Sequence, residues 1–164
     1  LLLGLGAIGR LVKTRLEAFD MAVLPVRRSG ADGALKPDEW RARLGEFDWV
    51  IVAVPSTPET HHMIGADELS FMRKGSYLIN TSRGGILDEK ALHQSLSIDH
   101  LGGAALDVFE EEPPIGNPLL HLENVIVTPH VGGSTKEAIH GMGMAAIDGL
   151  RNYCSSINKD TYSG

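Results

Sequence analysis

The junction "LLLGLGAIG", Leu1 to Gly9, constrains this chain most: an apolar triplet runs straight into Gly4, Gly6 and Gly9. Behind it, Ile8, Leu11, Val12, Leu16 and Phe19 recur at helical spacing and predict a helix over 8–19 with those residues on one face. A strand that enters a helix through three glycines must turn tightly and let the helix lie close against it. The same rhythm then continues along the chain. "MAVLPV" reads as a second strand, 28–37 as a loop rich in glycine and small residues, and Asp38 to Leu44 as a short helix stopped by Gly45. "WVIVAV", Trp49 to Val54, is continuously apolar, as in a strand covered on both faces. Thr57 and Pro58 have the form of a helix start. "SYLIN", "GGAALDVF" and "NVIVT" predict three more strands, with a helix near Asp88 to Leu96 after the first of them. "STKE", from Ser134, fits a capping box in which Glu137 reaches back. It would open a last helix with the stripe Ala138, Met142, Ala146 and Leu150.

Strands alternating with helices in this way imply an α/β fold, a doubly wound parallel sheet with helices on both faces. In such sheets ligands bind beyond the carboxyl ends of the strands. The residues that follow each strand are therefore the ones to read for chemistry.

Composition narrows the classes. The chain has 164 residues, 43% of them hydrophobic and 22% charged, which suits one domain with a real core. A formal net charge of -6 argues against nucleic acid as a partner. No apolar run reaches the length of a membrane span, and "LLLGLG" has neither the charged leader nor the cleavage pattern of a signal peptide. The single cysteine, Cys154, favours a reducing compartment, so a cytoplasmic protein is expected. The chain opens inside a strand at Leu1, as a piece of a longer protein would.

After the first strand, Gly4, Gly6 and Gly9 have the G-x-G-x-x-G spacing. The first permits the turn, the second lets backbone approach a pyrophosphate, and the third lets the helix pack on the strand. The helix N-terminus then offers N–H groups to phosphate. The second strand ends not in the acid that usually holds the ribose hydroxyls but in Arg27, followed by Arg28 and Ser29. A carboxylate there repels a 2′-phosphate, whereas a guanidinium pairs with it. Later strands end in "INTSRGG", which contains Arg83, in "ALDVFEEEPP", which contains Asp107 and Glu112, and in "TPHVGGS", which contains His130. An arginine, a glutamate and a histidine after three parallel strands are placed to meet in one crevice. The other histidines, His61, His62, His93 and His140, have no metal-ligand spacing and read as structural or exposed; no metal is expected. Glu110 and Glu111 read as solvated, and "GMGMAA" as close helix packing.

With "GLGAIG", "VPSTPETHHMIG", "YLINTSRGGILDEKAL", "GGAALDVFEEEP" and "VIVTPHVGGS" together, the sequence closely resembles the D-isomer-specific 2-hydroxyacid dehydrogenases, from about its first residue to the end of the last helix. The resemblance implies a Rossmann-type dinucleotide-binding domain over 1–153. Residues 154–164 would lead back toward a substrate domain that is missing. It implies a hydride transfer between a nicotinamide cofactor and a small 2-keto or 2-hydroxy acid. In these roles Arg83 binds the substrate carboxylate and carbonyl, His130 exchanges the proton, and Glu112 pairs with that histidine. Asp107 would lie near the nicotinamide carboxamide. Cofactor contacts are implied at Gly4, Gly6, Ala7, Ile8, Gly9, Val54, Pro55, Thr81, Ser82, Arg83, His130, Gly132 and Gly133. With Arg27, Arg28 and Ser29, NADP(H) is favoured and NAD(H) remains possible. A homodimer is expected. Glyoxylate or hydroxypyruvate reduction and phosphoglycerate oxidation both fit the resemblance; formate oxidation fits less, since that branch carries Gln at the position of Glu112. A dinucleotide-sensing regulatory domain, or a dimerisation domain without turnover, is the alternative.

Overall fold

In a computed structural model, residues 1–31 and 33–161 are described, with side chains through Cys154. The chain forms two compact units, Leu1–Pro129 and His130–Gly164. Residues 162–164 of the expected C-terminal segment 154–164 lie outside the described residues.

The first unit is a six-stranded, wholly parallel sheet in the order β2-β1-β3-β4-β5-β6. The strands are β1 (Leu2–Leu3), β2 (Pro25–Val26), β3 (Trp49–Val52), β4 (Tyr77–Asn80), β5 (Gly103–Leu106) and β6 (Val125–Val127). The helices are α1 (Ala7–Glu17), α2 (Ala66–Phe71) and α3 (Glu89–Ser97), with 3₁₀ turns at Arg41–Glu46, Gly84–Ile86 and Pro118–His121. The chain leaves β1 for β2 on one side and returns to β3 on the other. That reversal beside β1 is the switch point at which such sheets open a crevice.

One face of the sheet holds the core. Val50, Val52, Leu78 and Leu106 point into it and meet Leu69 of α2 and Leu92 and Leu96 of α3, all at most 2% exposed. α3 starts where Asp88 accepts hydrogen bonds from the Lys90 and Ala91 N–H groups, both 3.0 Å, and it buries Ala91, Leu92, Ser95 and Leu96. On the opposite face Trp49 stacks on Tyr77 with ring centroids 4.5 Å apart, and Trp49 and Ile126 stay 38% and 71% exposed. Within the first unit, then, the expected two-sided cover of "WVIVAV" is seen on the face that carries Val50 and Val52. An apolar run declares the burial of its strand but not how many faces are covered.

Other local expectations shift for physical reasons. α1 buries Gly9 and half-buries Val12, Lys13 and Leu16, while Ile8, Leu11 and Phe19 are exposed. Gly9 sits so close to the strand that an added Cβ would lie 2.1 Å from the Gly4 carbonyl oxygen. That contact sets the packed stripe at 9, 12, 13 and 16, one residue round from the expected face. Thr57 and Pro58 open a turn rather than a helix: the Thr57 carbonyl accepts from the Thr60 and His61 N–H groups, and the chain then extends to Ile64. The helix begins at Ala66, where the Glu68 carboxylate accepts from the Gly65 N–H at 3.0 Å. The helix expected over 38–44 is the 3₁₀ turn Arg41–Glu46. "MAVLPV" contributes only Pro25 and Val26 to the sheet.

The second unit contains α4 (Lys136–Thr161). Its cap is Thr135, not Ser134: the Thr135 hydroxyl accepts from the Ala138 N–H at 3.1 Å. Met142 and Leu150 of its expected apolar stripe are 61% and 66% exposed. Among the described residues, no helix is long and apolar enough to cross a membrane.

Candidate cofactor cleft and catalytic residues

The turn after β1 is shaped by contacts at two glycines and by open space at the third. Gly4 has φ +103, and a Cβ there would lie 2.4 Å from the Ala53 carbonyl oxygen. Only glycine fits, and the ends of β1 and β3 close on one another. Gly9 is held by the Gly4 carbonyl as described. Gly6 is different: its φ of -78 and ψ of -161 suit any residue, and no described atom lies within 4 Å of an added Cβ. No contact among the described residues requires glycine there. The open space in front of Gly6 lies at the N-terminus of α1, which has no side-chain cap and no acid in its first turn. An uncapped helix start with free approach to the backbone is what a pyrophosphate requires. Ala7 and Ile8, on that first turn, are exposed.

A cleft of about 700 Å³ opens from this turn toward the end of β2. Gly4, Gly6, Arg27, Arg28, Val54 and Pro55 line it, as expected of cofactor-contact positions, together with Trp40, Arg41, Thr57, Glu59 and Thr60. Ser29 is not among the lining residues; its hydroxyl accepts from the Ala31 N–H at 3.3 Å. Arg41 is engaged inside the protein, its Nε donating to Glu68 at 2.6 Å and its guanidinium lying 4.5 Å over the Trp40 ring. Trp40, Arg41 and Glu59 were not legible as cleft residues. Thr57 to Thr60 follow β3 beside the switch point, and that position was the available signal.

The loop after β4 is built by hydrogen bonds. Asn80 is fully buried; its Oδ1 accepts from the Ser82 N–H at 3.0 Å and its Nδ2 donates to the Arg83 carbonyl at 2.9 Å. The Ser82 hydroxyl donates to the Val52 carbonyl at 3.0 Å. Thr81 beside it is exposed. The turn thus ties β4 to β3 and leaves the Arg83 side chain outside, its Nη1 donating to the Ser82 carbonyl at 2.7 Å. Gly84 then lies directly on the loop after β5: an added Cβ would be 1.8 Å from the Phe109 carbonyl carbon. On that same loop the Glu112 Oε1 accepts from the Phe109 N–H at 3.1 Å. Arg83 and Glu112 therefore belong to two loops in backbone contact.

Asp107, at the end of β5, is 6% exposed and accepts from the Thr128 hydroxyl at 2.5 Å, while its own N–H donates to the Asn80 carbonyl at 3.0 Å. His130, two residues beyond Thr128, is the first residue of the second unit. It is exposed and has φ 51, a left-handed conformation uncommon outside glycine. Gly132 and Gly133 follow it in that unit, also exposed. Of the histidines read as structural, His61 and His62 stack on one another at 4.1 Å, and His62 Nε2 pairs with Glu110. Glu110 is thus engaged rather than merely solvated. Among the described residues, no group of three or more His, Cys, Asp or Glu could hold a metal ion.

Residues 1–132 match the family profile described as D-isomer specific 2-hydroxyacid dehydrogenase, NAD binding domain. The chain belongs to this family. It is 39% identical over 170 residues to the glyoxylate reductase of Thermococcus litoralis, covering 97% of this chain and 51% of that protein. It is 40% identical over 155 residues to the D-3-phosphoglycerate dehydrogenase of Methanocaldococcus jannaschii, covering 91% of this chain and 30% of the relative. Among solved structures it resembles the NADPH-dependent glyoxylate/hydroxypyruvate reductase of Sinorhizobium meliloti in complex with NADP and malonate. There the TM-score is 0.88 at 35% identity, covering 94% of this chain and 49% of that one. The chain thus spans about half the length, or less, of these family members. Its first unit is a Rossmann-type nicotinamide-dinucleotide domain, and the open cradle at Gly6 fits the pyrophosphate of such a cofactor.

Proposed function

We propose that the whole protein reduces a small 2-keto acid of the glyoxylate or hydroxypyruvate type with NADP(H). Residues 1–153 would form its dinucleotide-binding domain, and the working form would be a cytoplasmic homodimer. The observation that carries this reading is the contact between the Gly84 and Phe109 backbones. It puts the Arg83 loop and the Glu112 loop side by side at the same sheet edge as the Gly6 cradle.

A nicotinamide held in this cleft would supply the hydride for reduction of the keto carbon. Arg83 offers a permanent planar cation to the substrate carboxylate and keto oxygen, holding the acid and polarising its carbonyl. His130 donates the proton that the developing alkoxide needs, since imidazole titrates in the useful range. The Glu112 carboxylate would pair with that histidine and orient its ring. Asp107, anchored by Thr128, lines the nicotinamide end. The Gly6 backbone and the start of α1 receive the pyrophosphate, and Arg27 with Arg28 receives the 2′-phosphate.

Turnover of glyoxylate and hydroxypyruvate by the whole protein, followed through NADPH absorbance, tests the reading. His130→Ala should lower kcat by about 10²–10⁴-fold with little change in NADP⁺ affinity. Dinucleotide binding without turnover of any 2-keto acid would instead favour a dinucleotide-sensing or dimerisation domain.

A further inference from the structure

The adenosine end of the cleft contains a group that the selectivity argument from Arg27 and Arg28 does not use. Glu59 lines the same cleft as both arginines and, among the described lining residues, is its one carboxylate. The turn that presents it is well fixed. The Thr60 hydroxyl accepts from the Thr57 N–H at 2.8 Å and donates to the Pro55 carbonyl at 2.8 Å, while the Thr60 N–H donates to the Thr57 carbonyl at 3.1 Å. The third cation of the cleft, Arg41, is already neutralised by Glu68 at 2.6 Å. Beside Arg27 and Arg28, an incoming 2′-phosphate therefore shares the cleft with the carboxylate of Glu59.

We infer that Glu59 is a cofactor-selectivity residue: its carboxylate, in the same cleft as Arg28, opposes the 2′-phosphate and tempers the preference for NADP(H) over NAD(H). The inference rests on the reading of Arg27 and Arg28 as the phosphate site. The Glu59 carboxyl is held below the usual range by the Thr57 hydroxyl, then by its own backbone N–H, with Arg28's charge contributing; it is ionised when the cofactor arrives. A dianionic phosphate brought to Arg28 must share the cleft with a like charge. A cofactor with a free 2′-hydroxyl brings no negative charge to that position and does not meet this repulsion. The acid absent from the end of β2 thus has a counterpart after β3, and the cleft grades its preference rather than excluding one cofactor.

The test is equilibrium binding of NADP⁺ and of NAD⁺ to the whole protein, by fluorescence titration, for the wild type, Glu59→Gln, Arg28→Ala and Arg27→Ala. Glu59→Gln should tighten NADP⁺ by about fivefold, the effect of removing one like charge at an exposed site, and leave NAD⁺ unchanged. Unchanged NAD⁺ binding also shows that the turn remains folded. If Arg28→Ala weakens NADP⁺ but Glu59→Gln leaves NADP⁺ unchanged or weaker, the role of Glu59 is refuted and the phosphate site stands. If neither arginine variant affects NADP⁺, the phosphate site itself is wrong and the role of Glu59 falls with it.

Discussion

The turn after β1 and the loop after β4 both end a strand at the edge of the sheet, yet they are specified in opposite ways. Gly4 and Gly9 are dictated by backbone 2.4 Å and 2.1 Å from where a Cβ would be, but Gly6 between them faces open space. The β4 loop has no such gap: Asn80 satisfies two backbone groups from inside, and Gly84 is pressed against Phe109. The first region leaves its backbone open to approach. The second is shaped by the protein itself, and its rigidity gives the exposed Arg83 a defined starting point. A cofactor cradle must leave room, whereas a side chain that holds substrate must be aimed.

The sharpest way to break this contrast is Gly84→Ala. A methyl group 1.8 Å from the Phe109 backbone cannot be absorbed by a side-chain rotation, so the two loops must separate. Overpacking against backbone of this kind is expected to destabilise the first unit by about 3 kcal/mol. A fall in the denaturant midpoint is the expected result; an unchanged midpoint would show that these loops are not locked together.

Asn80→Ala comes next. It leaves the Ser82 N–H and Arg83 carbonyl without their buried partner, at a cost of about 2 kcal/mol. Because those groups orient the Arg83 backbone, the KM for the keto acid should rise more than the Kd for the dinucleotide. Equal effects on both would assign Asn80 to general stability alone.

Gly6→Ala should behave in the reverse manner. The backbone there is accessible to alanine and its Cβ meets nothing, so thermal stability should stay within about 0.5 kcal/mol of the wild type. Dinucleotide binding should nevertheless weaken by about tenfold, or ~1.4 kcal/mol, because the methyl group enters the space reserved for the pyrophosphate. Melting and NADP⁺ titration on the same sample check both halves. A loss of stability without a loss of binding would put Gly6 in the same class as Gly4.

The same contrast explains how much could be read from the sequence. Order and type of the strands were legible because each apolar run is short and bounded, and the position of Arg83, Asp107 and Glu112 after strands followed from that order. What depended on close approach was not legible. The packed stripe of α1 is set by Gly9 against Gly4, a contact that side-chain periodicity does not encode. α2 was displaced because Thr57 and Pro58 have the form of a helix start, although the chain uses them for one turn and begins the helix after Gly65. Glu59 was passed over in the same segment: Arg28 comes from the far side of the switch point, and only the sheet order brings the two into one cleft.

Glu68 yields the smallest expected effect, and it separates the scaffold of the cleft from its ligand-facing groups. Its carboxylate joins two elements: it accepts from the Gly65 N–H at the start of α2, pairs with Arg41 of the 3₁₀ turn at 2.6 Å, and so fixes Arg41 in the cleft wall. Burial pushes its carboxyl up, but the Arg41 hydrogen bond and the Gly65 and Glu68 N–H groups more than offset this and leave it below the usual range. A carboxyl whose value is lower folded than unfolded stabilises the protein fully above the unfolded value, about 4.3, and loses that contribution as the pH falls through the folded value. Glu68→Gln should therefore lower stability by about 0.5 kcal/mol at neutral pH, a modest figure because the Arg41 partner is largely solvated. The gap between wild type and variant should stay constant down to about pH 5 and close at lower pH. Melting curves of both proteins across that range would check it. A gap that persists undiminished into acid would mean that Glu68 acts through packing, and that Arg41 is held in the cleft wall by Trp40 rather than by charge.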